Sequence, residues 1–213
     1  MKHCKTPYII YAVALLAIFA ANKLALFKPY LGVIIAVLFL YVPVIFLFIK
    51  KQQPAFYGIS KKGLLKSIAR ALLLSFLIFP LYAIGFYIYM RHFYGIKTLS
   101  FSILPMHILI FALNDLLMVA IPEEVFYRGY LQSELRQCDK KKVNVFGARI
   151  GFSFLMVNVL FAAGHLIVIQ DISRLAMFFP GLVFSWLREK DDNISGAVLF
   201  HWLSNVLSFI LLR

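Results

Sequence analysis

Long apolar segments recur along almost the whole chain and restrict it to one class of fold. They lie at about 7–22, 30–49, 69–90, 104–122, 150–170, 172–187 and 194–212. A helix of about 20 apolar residues crosses the hydrocarbon core of a bilayer. The sequence therefore predicts an all-α, polytopic transmembrane helical bundle with about seven spans. The fourth segment continues as an amphipathic stretch to about Leu135.

The composition excludes soluble and disordered proteins. Of the 213 residues 62% are hydrophobic and only 15% are charged, and the mean hydropathy is +0.87. Soluble domains are nearer half apolar and a quarter charged. Because no Gly/Ser linker, low-complexity tract or internal repeat interrupts the pattern, we expect residues 1–213 to form a single integral membrane domain.

The distribution of basic residues predicts the orientation. The formal net charge is +13, and 15 of the 22 Lys and Arg residues fall in one alternate set of loops, beginning with the amino end. Basic loops face the cytoplasm, so we expect a cytoplasmic amino terminus, and the small, basic chain suggests a prokaryotic plasma membrane.

The expected partners are the lipid bilayer and a membrane-associated protein or peptide. No nucleic acid is expected, because no basic run is interleaved with aromatic residues on a polar surface. Cys4 and Cys138 would both face the reducing cytosol, which predicts no disulfide.

Ionisable residues inside the apolar segments are the candidates for function. Each costs roughly 2.5–3.5 kcal/mol to insert at the centre of a membrane helix. Glu124 and Arg128 are spaced i, i+4 and can form a charge pair on one helix face. Glu123 is rotated by about 100° from that face and has no obvious cation on its own helix. Glu123 is therefore the better candidate for a general base.

Two further polar groups lie on later segments. His201 and Asn205 are spaced i, i+4, so their N–H groups can point at one place, as in an oxyanion hole. His165 stands among small residues that permit close approach of another helix. Taken singly, each group also has a structural interpretation: a buried ion pair, a histidine bound to a carbonyl, or polar contacts between helices.

Together the three groups resemble a known family. The motifs Glu-Glu-x-x-x-Arg, Phe-x-x-x-His and His-x-x-x-Asn occur in this order within about 104–212. They are similar to those of the CPBP intramembrane glutamic proteases, which include type II CAAX prenyl endopeptidases and Abi-type proteins linked to bacteriocin processing and immunity. The resemblance implies catalytic Glu123, His165, His201 and Asn205, supported by Glu124, Arg128 and Phe161. The first two would activate a water without a cofactor, and the second two would stabilise the oxyanion.

Three alternatives remain open. Glu123, His165 and His201 could instead bind Zn²⁺ in a metal-dependent variant. A non-enzymatic immunity or scaffold protein could use the same polar bundle to bind a membrane partner. A transporter is disfavoured by the short chain and the absence of internal repeats. The substrate also stays open between prenylated tails, peptide leaders and carboxyl-terminal sorting anchors.

The depth of the site constrains the fourth helix. If that helix ends at 122, Glu123 lies near the inner surface, whereas His165 lies about 24 Å from that surface along the fifth helix. The two side chains could not meet. We therefore expect the fourth helix to be centred lower, at about 111–135.

Overall fold

Seven main helices make up the part of the chain that the computed structural model describes, residues 4–96 and 105–212. They are α1 Thr6–Lys23, α2 Leu31–Lys50, α3 Leu64–Tyr94, α4 105–136, α5 Phe152–Ile169, α6 Phe178–Asp191 and α7 Ser195–Leu211. Short 3₁₀ turns at Lys28–Tyr30, Pro54–Tyr57 and Ile172–Met177 join some of them. A small antiparallel hairpin, β1 Val143–Val145 and β2 Ala148–Ile150, separates α4 from α5.

The predicted all-α membrane bundle is confirmed. Within the described residues four helices are long and apolar enough to cross a membrane: α1, α2 with the turn before it, α3 and α5. Large apolar side chains such as Phe48 and Phe76 point outward, each 79% exposed, as helices facing lipid require. Residue 104, the predicted start of the fourth segment, lies outside the described residues.

Helix α4 is unbroken but contains two π-helical stretches. It is α-helical at Pro105–Asp115, π-helical at Leu116–Ala120, α-helical again at Ile121–Glu124, π-helical at Val125–Leu131 and α-helical at Gln132–Arg136. Pro122 contributes to the first change, because it has no N–H for the usual bond to the carbonyl four residues earlier. The two glutamates thus lie inside the helix, between two widened turns. The expected continuation of the fourth helix beyond residue 122 is confirmed.

Aromatic side chains fix α4 in the middle of the bundle. Phe126 stacks on Phe39 of α2 with 4.4 Å between ring centroids. The rings of Tyr127 and Phe161 of α5 are nearly perpendicular, with 5.0 Å between their centroids. The Tyr11 hydroxyl of α1 donates to the Leu160 carbonyl of α5 at 2.6 Å. Helix α4 therefore packs against α2 and α5, and α1 is bonded to α5. These contacts set the rotation of the polar face of α4.

Helix α7 crosses α3 through a glycine contact. The Gly196 N–H donates to the Ser67 hydroxyl at 3.0 Å. A Cβ at position 196 would stand 2.6 Å from that hydroxyl oxygen and 2.8 Å from the Ser67 carbonyl oxygen. Only glycine permits this approach without a backbone shift. It brings the first turn of α7 close to α3 and so fixes the direction in which the rest of α7 runs.

The two cysteines are joined, contrary to the sequence-based prediction. Cys4 and Cys138 form a disulfide, with their Cα atoms 6.0 Å apart. The prediction of unpaired thiols is wrong because the amino end of α1 packs beside the turn that follows α4. Ion pairs between Lys50 and Glu134 and between Arg70 and Asp191 hold the loops at the same end of the bundle.

Candidate active site

Three helices bring their polar side chains together at Glu123. The Glu123 Oε2 atom of α4 lies 3.9 Å from His165 Nε2 of α5 and 4.0 Å from His201 Nε2 of α7. Glu123 and His201 are buried, and His165 is partly exposed. The side chains that the depth argument required to meet are therefore adjacent, across sequence separations of 42 and 78 residues.

A hydrogen bond fixes the tautomer of His165 and leaves a lone pair on the ring nitrogen that faces Glu123. Its Nδ1 atom lies 2.9 Å from the carbonyl oxygen of Phe161, one turn earlier on α5. A carbonyl only accepts, so Nδ1 must carry the hydrogen, and the neutral ring keeps its lone pair on Nε2. The ring thus binds a carbonyl through one nitrogen and turns the other, as an acceptor, toward Glu123.

Glu124 and Arg128 form a completely buried ion pair that also anchors His201. The Arg128 Nε and Glu124 Oε2 atoms are 3.4 Å apart, and both side chains are 0% exposed. Glu124 Oε1 accepts from His201 Nδ1 at 2.9 Å. Arg128 also donates through Nη2 to Asn158 Oδ1 at 3.3 Å and to the Gly181 carbonyl at 3.1 Å. The predicted i, i+4 charge pair is present and links α4 with α5, α6 and α7.

The backbone of α6 approaches this pair closely at Gly181. A Cβ there would stand 2.6 Å from Asn158 Oδ1 and 3.2 Å from Arg128 Nη2. Two aromatic rings complete the enclosure: Arg128 lies 4.3 Å from the Phe161 centroid and 5.0 Å from that of Phe184. Guanidinium groups are attracted to ring faces at such distances. Phe161 therefore packs against the guanidinium of this ion pair.

Asn205 has a partner that the sequence reading did not single out. Its Nδ2 atom donates to Asp115 Oδ1 and Oδ2, at 3.1 and 3.2 Å. Asp115 belongs to α4 and is only 5% exposed. The signal was present, because Asp115 is a charged residue inside the apolar segment 104–122. The i, i+4 rule did place Asn205 one turn beyond His201, but spacing within one helix could not reveal a partner on another.

No group of three or more His, Cys, Asp or Glu residues is placed to hold a metal ion within residues 4–96 and 105–212. A separate cavity of about 600 Å³ lies beside the polar site, between α3, α4 and α7. Its walls are mainly apolar, with Ile121, Val125 and Trp202 among them. None of the predicted catalytic side chains lines this cavity, so its position alone assigns it no chemistry.

Fold and site together define a class: a helical membrane protein with a buried glutamate–histidine cluster shared by three of its helices. Residues 105–207 match the type II CAAX prenyl endopeptidase Rce1-like family. Over these 103 of its 213 residues the chain is therefore similar to CAAX-type membrane proteases, and the matched range contains every predicted catalytic and supporting residue. No curated protein and no solved structure matches the chain.

Proposed function

We propose that the chain is an intramembrane glutamic endopeptidase that hydrolyses a peptide bond in a membrane-associated protein or peptide. One observation carries the proposal. Glu123 Oε2 is a buried oxygen with no hydrogen-bond partner among the described residues. It nevertheless faces two imidazole nitrogens at 3.9 and 4.0 Å. An unsatisfied buried carboxylate oxygen costs free energy, and a catalytic role accounts for keeping it.

A single water fits the chemistry of the three facing atoms. Separations of 3.9 and 4.0 Å are too long for direct hydrogen bonds and suit a bridging water. Glu123 as a carboxylate and His165 at Nε2 both accept, so the water would donate one hydrogen to each. Its lone pair would then point toward a bound peptide carbonyl.

The reaction follows from that orientation. Glu123 accepts a proton from the water as general base while the water oxygen bonds to the carbonyl carbon, which forms a tetrahedral oxyanion. The oxyanion collapses, the C–N bond breaks, and the protonated Glu123 returns its proton to the leaving amine. His201, whose Nδ1 donates to Glu124, would donate from Nε2 to the oxyanion in its doubly protonated form.

The remaining details belong to the same proposal. The excess of basic residues in one set of loops supports a cytoplasmic amino terminus in a prokaryotic plasma membrane, whereas the Cys4–Cys138 disulfide at the same end favours an oxidising compartment. The family is described by its action on prenylated proteins, so a prenylated tail is one candidate substrate for this chain. Peptide leaders and sorting anchors are the others, and the same experiment distinguishes them.

The test compares protein termini in cells that express the wild type, Glu123→Gln or Glu134→Gln. Glu134 is a matched control, since it is a buried carboxylate on the same helix that binds Lys50 and Tyr57 instead of the site. We expect new termini with the wild type and Glu134→Gln, and at least a hundredfold fewer with Glu123→Gln. Equal membrane abundance of the three proteins is the control for folding.

Two outcomes would contradict the proposal. Wild-type levels of the new termini with Glu123→Gln would refute the general base. Identical termini in all cells, including those without the protein, would favour the non-enzymatic immunity or scaffold alternative. The sequence around each new terminus would identify the substrate class directly.

A further inference from the structure

A third buried carboxylate, Asp115, lies at the edge of the glutamate–histidine cluster. It precedes Glu123 by eight residues on α4 and receives the Asn205 amide of α7 on both carboxylate oxygens, at 3.1 and 3.2 Å. We propose that Asp115 is a positioning residue that fixes the Asn205 amide in the orientation that stabilises the oxyanion. This inference rests on the proposed endopeptidase function.

The chemistry of the pair selects one orientation of the amide. A carboxylate only accepts, so it attracts the nitrogen of Asn205 and keeps the amide oxygen turned away. The amide nitrogen carries two hydrogens, and one of them satisfies Asp115. The second remains available to a developing oxyanion, because Asn205 is only partly buried. Without Asp115 the amide could rotate by about 180° and present its oxygen, an acceptor that repels an oxyanion.

The two helices are also held together by neighbouring contacts, which on α7 flank Asn205. The Trp202 indole N–H of α7 donates to the Ala112 carbonyl of α4 at 2.7 Å. Phe111 stacks on Phe209 with 4.0 Å between centroids and 7° between planes. The backbones that carry Asp115 and Asn205 are therefore fixed independently of the pair. Removing the Asp115 carboxylate would free the amide without separating the helices.

The test is a double-mutant cycle between the two residues. Purified protein in micelles would cleave a synthetic peptide that spans the bond identified in cells, using the wild type, Asp115→Ala, Asn205→Ala and the double variant. Loss of an oxyanion donor lowers kcat by about 10²–10³-fold. We expect each single substitution to lower kcat about a hundredfold with KM changed less than about threefold, and the double variant to be no slower than Asn205→Ala.

A structural role for Asp115 predicts a different pattern. If Asp115 supports the helix without acting through Asn205, Asp115→Ala lowers activity by the same factor whether or not Asn205 is present, and that result would overturn the inference. Wild-type kcat in Asp115→Ala would overturn it as well. Tyr82→Phe is the matched control, since it removes another hydrogen bond to α7, the 2.8 Å contact with Ser208. It should leave kcat unchanged.

The isosteric Asp115→Asn variant keeps the test decisive if Asp115→Ala does not accumulate in membranes. An amide at position 115 can donate as well as accept, so it permits both orientations of the Asn205 amide. We expect Asp115→Asn to lower kcat about tenfold, and only when Asn205 is present. Full kcat in Asp115→Asn would reject the positioning role. The proposed endopeptidase function is tested separately. It is refuted if Glu123→Gln cleaves as well as the wild type.

Discussion

Replacement of Arg128 by Met should destabilise the protein far more than the loss of an ordinary surface ion pair. Arg128 is 0% exposed and contacts Glu124, Asn158 and the Gly181 carbonyl at 3.4, 3.3 and 3.1 Å. Met fills similar space but leaves the Glu124 carboxylate buried without its cation. Removal of one partner from a buried ion pair costs about 3–5 kcal/mol, a large part of a typical stability of about 5–15 kcal/mol.

The assay is the free energy of unfolding in micelles, measured by denaturant titration. Arg174→Met serves as the control, since Arg174 lies in the 3₁₀ turn before α6 and pairs with Asp171, and both side chains are 33% exposed. That pair should contribute less than about 1 kcal/mol. In Arg128→Met/Glu124→Gln the unpaired charge is gone and an oxygen acceptor remains for His201. We expect this double variant to recover about half of the loss.

Two results would refute the reasoning. If Arg128→Met were as stable as Arg174→Met, the buried pair would contribute no more than a surface pair. If the double variant were no more stable than Arg128→Met, the cause would be lost packing around the guanidinium, and not an unpaired buried charge.

Two further predictions concern close packing and the disulfide. Gly181→Ala should lower cleavage about tenfold and the free energy of unfolding by about 1–3 kcal/mol, because the new Cβ would stand 2.6 Å from the Asn158 amide oxygen. Gly85→Ala is the control: a Cβ there would have nothing within 4 Å, so neither quantity should change. Cys4→Ser should lower the free energy of unfolding by about 2–4 kcal/mol, and a reductant should bring the wild type to the same midpoint without affecting the variant. Equal cleavage by the two alanine variants would contradict the first prediction, and maleimide labelling of Cys4 and Cys138 before reduction would contradict the second.

The fold was largely predictable because hydropathy and helix length follow from local sequence. Each of the seven apolar segments overlaps one main helix of the described chain. Helical spacing also placed Glu124 beside Arg128 and turned Glu123 to another face, and the structure has both features. The extension of the fourth helix beyond residue 122 was also predictable, because Glu123 and His165 could not otherwise meet. These inferences needed only the geometry of a single helix or a distance along two helices.

Features that depend on contacts between distant segments were not predictable. The Cys4–Cys138 bond spans 134 residues, and it forms although both cysteines were predicted to face a reducing cytosol. The Asp115–Asn205 pair joins helices 90 residues apart in sequence. Asp115 could still have been flagged as a charge in an apolar segment, but its partner could not have been named. The functional roles of the site residues stay predictions until the substitutions are made.

The widened turns in α4 decide how the helix responds to the loss of a residue. A π-helical turn accommodates one more residue than the α-helical turn it replaces. Deleting one residue from Leu116–Ala120 would thus restore an α-helical turn and leave the two halves of α4 in nearly their present rotation. Asp115 and Glu123 would then still face α7. In a regular helix the same deletion would rotate one half against the other by about 100°, so a widened turn can absorb a deletion that would otherwise abolish the site.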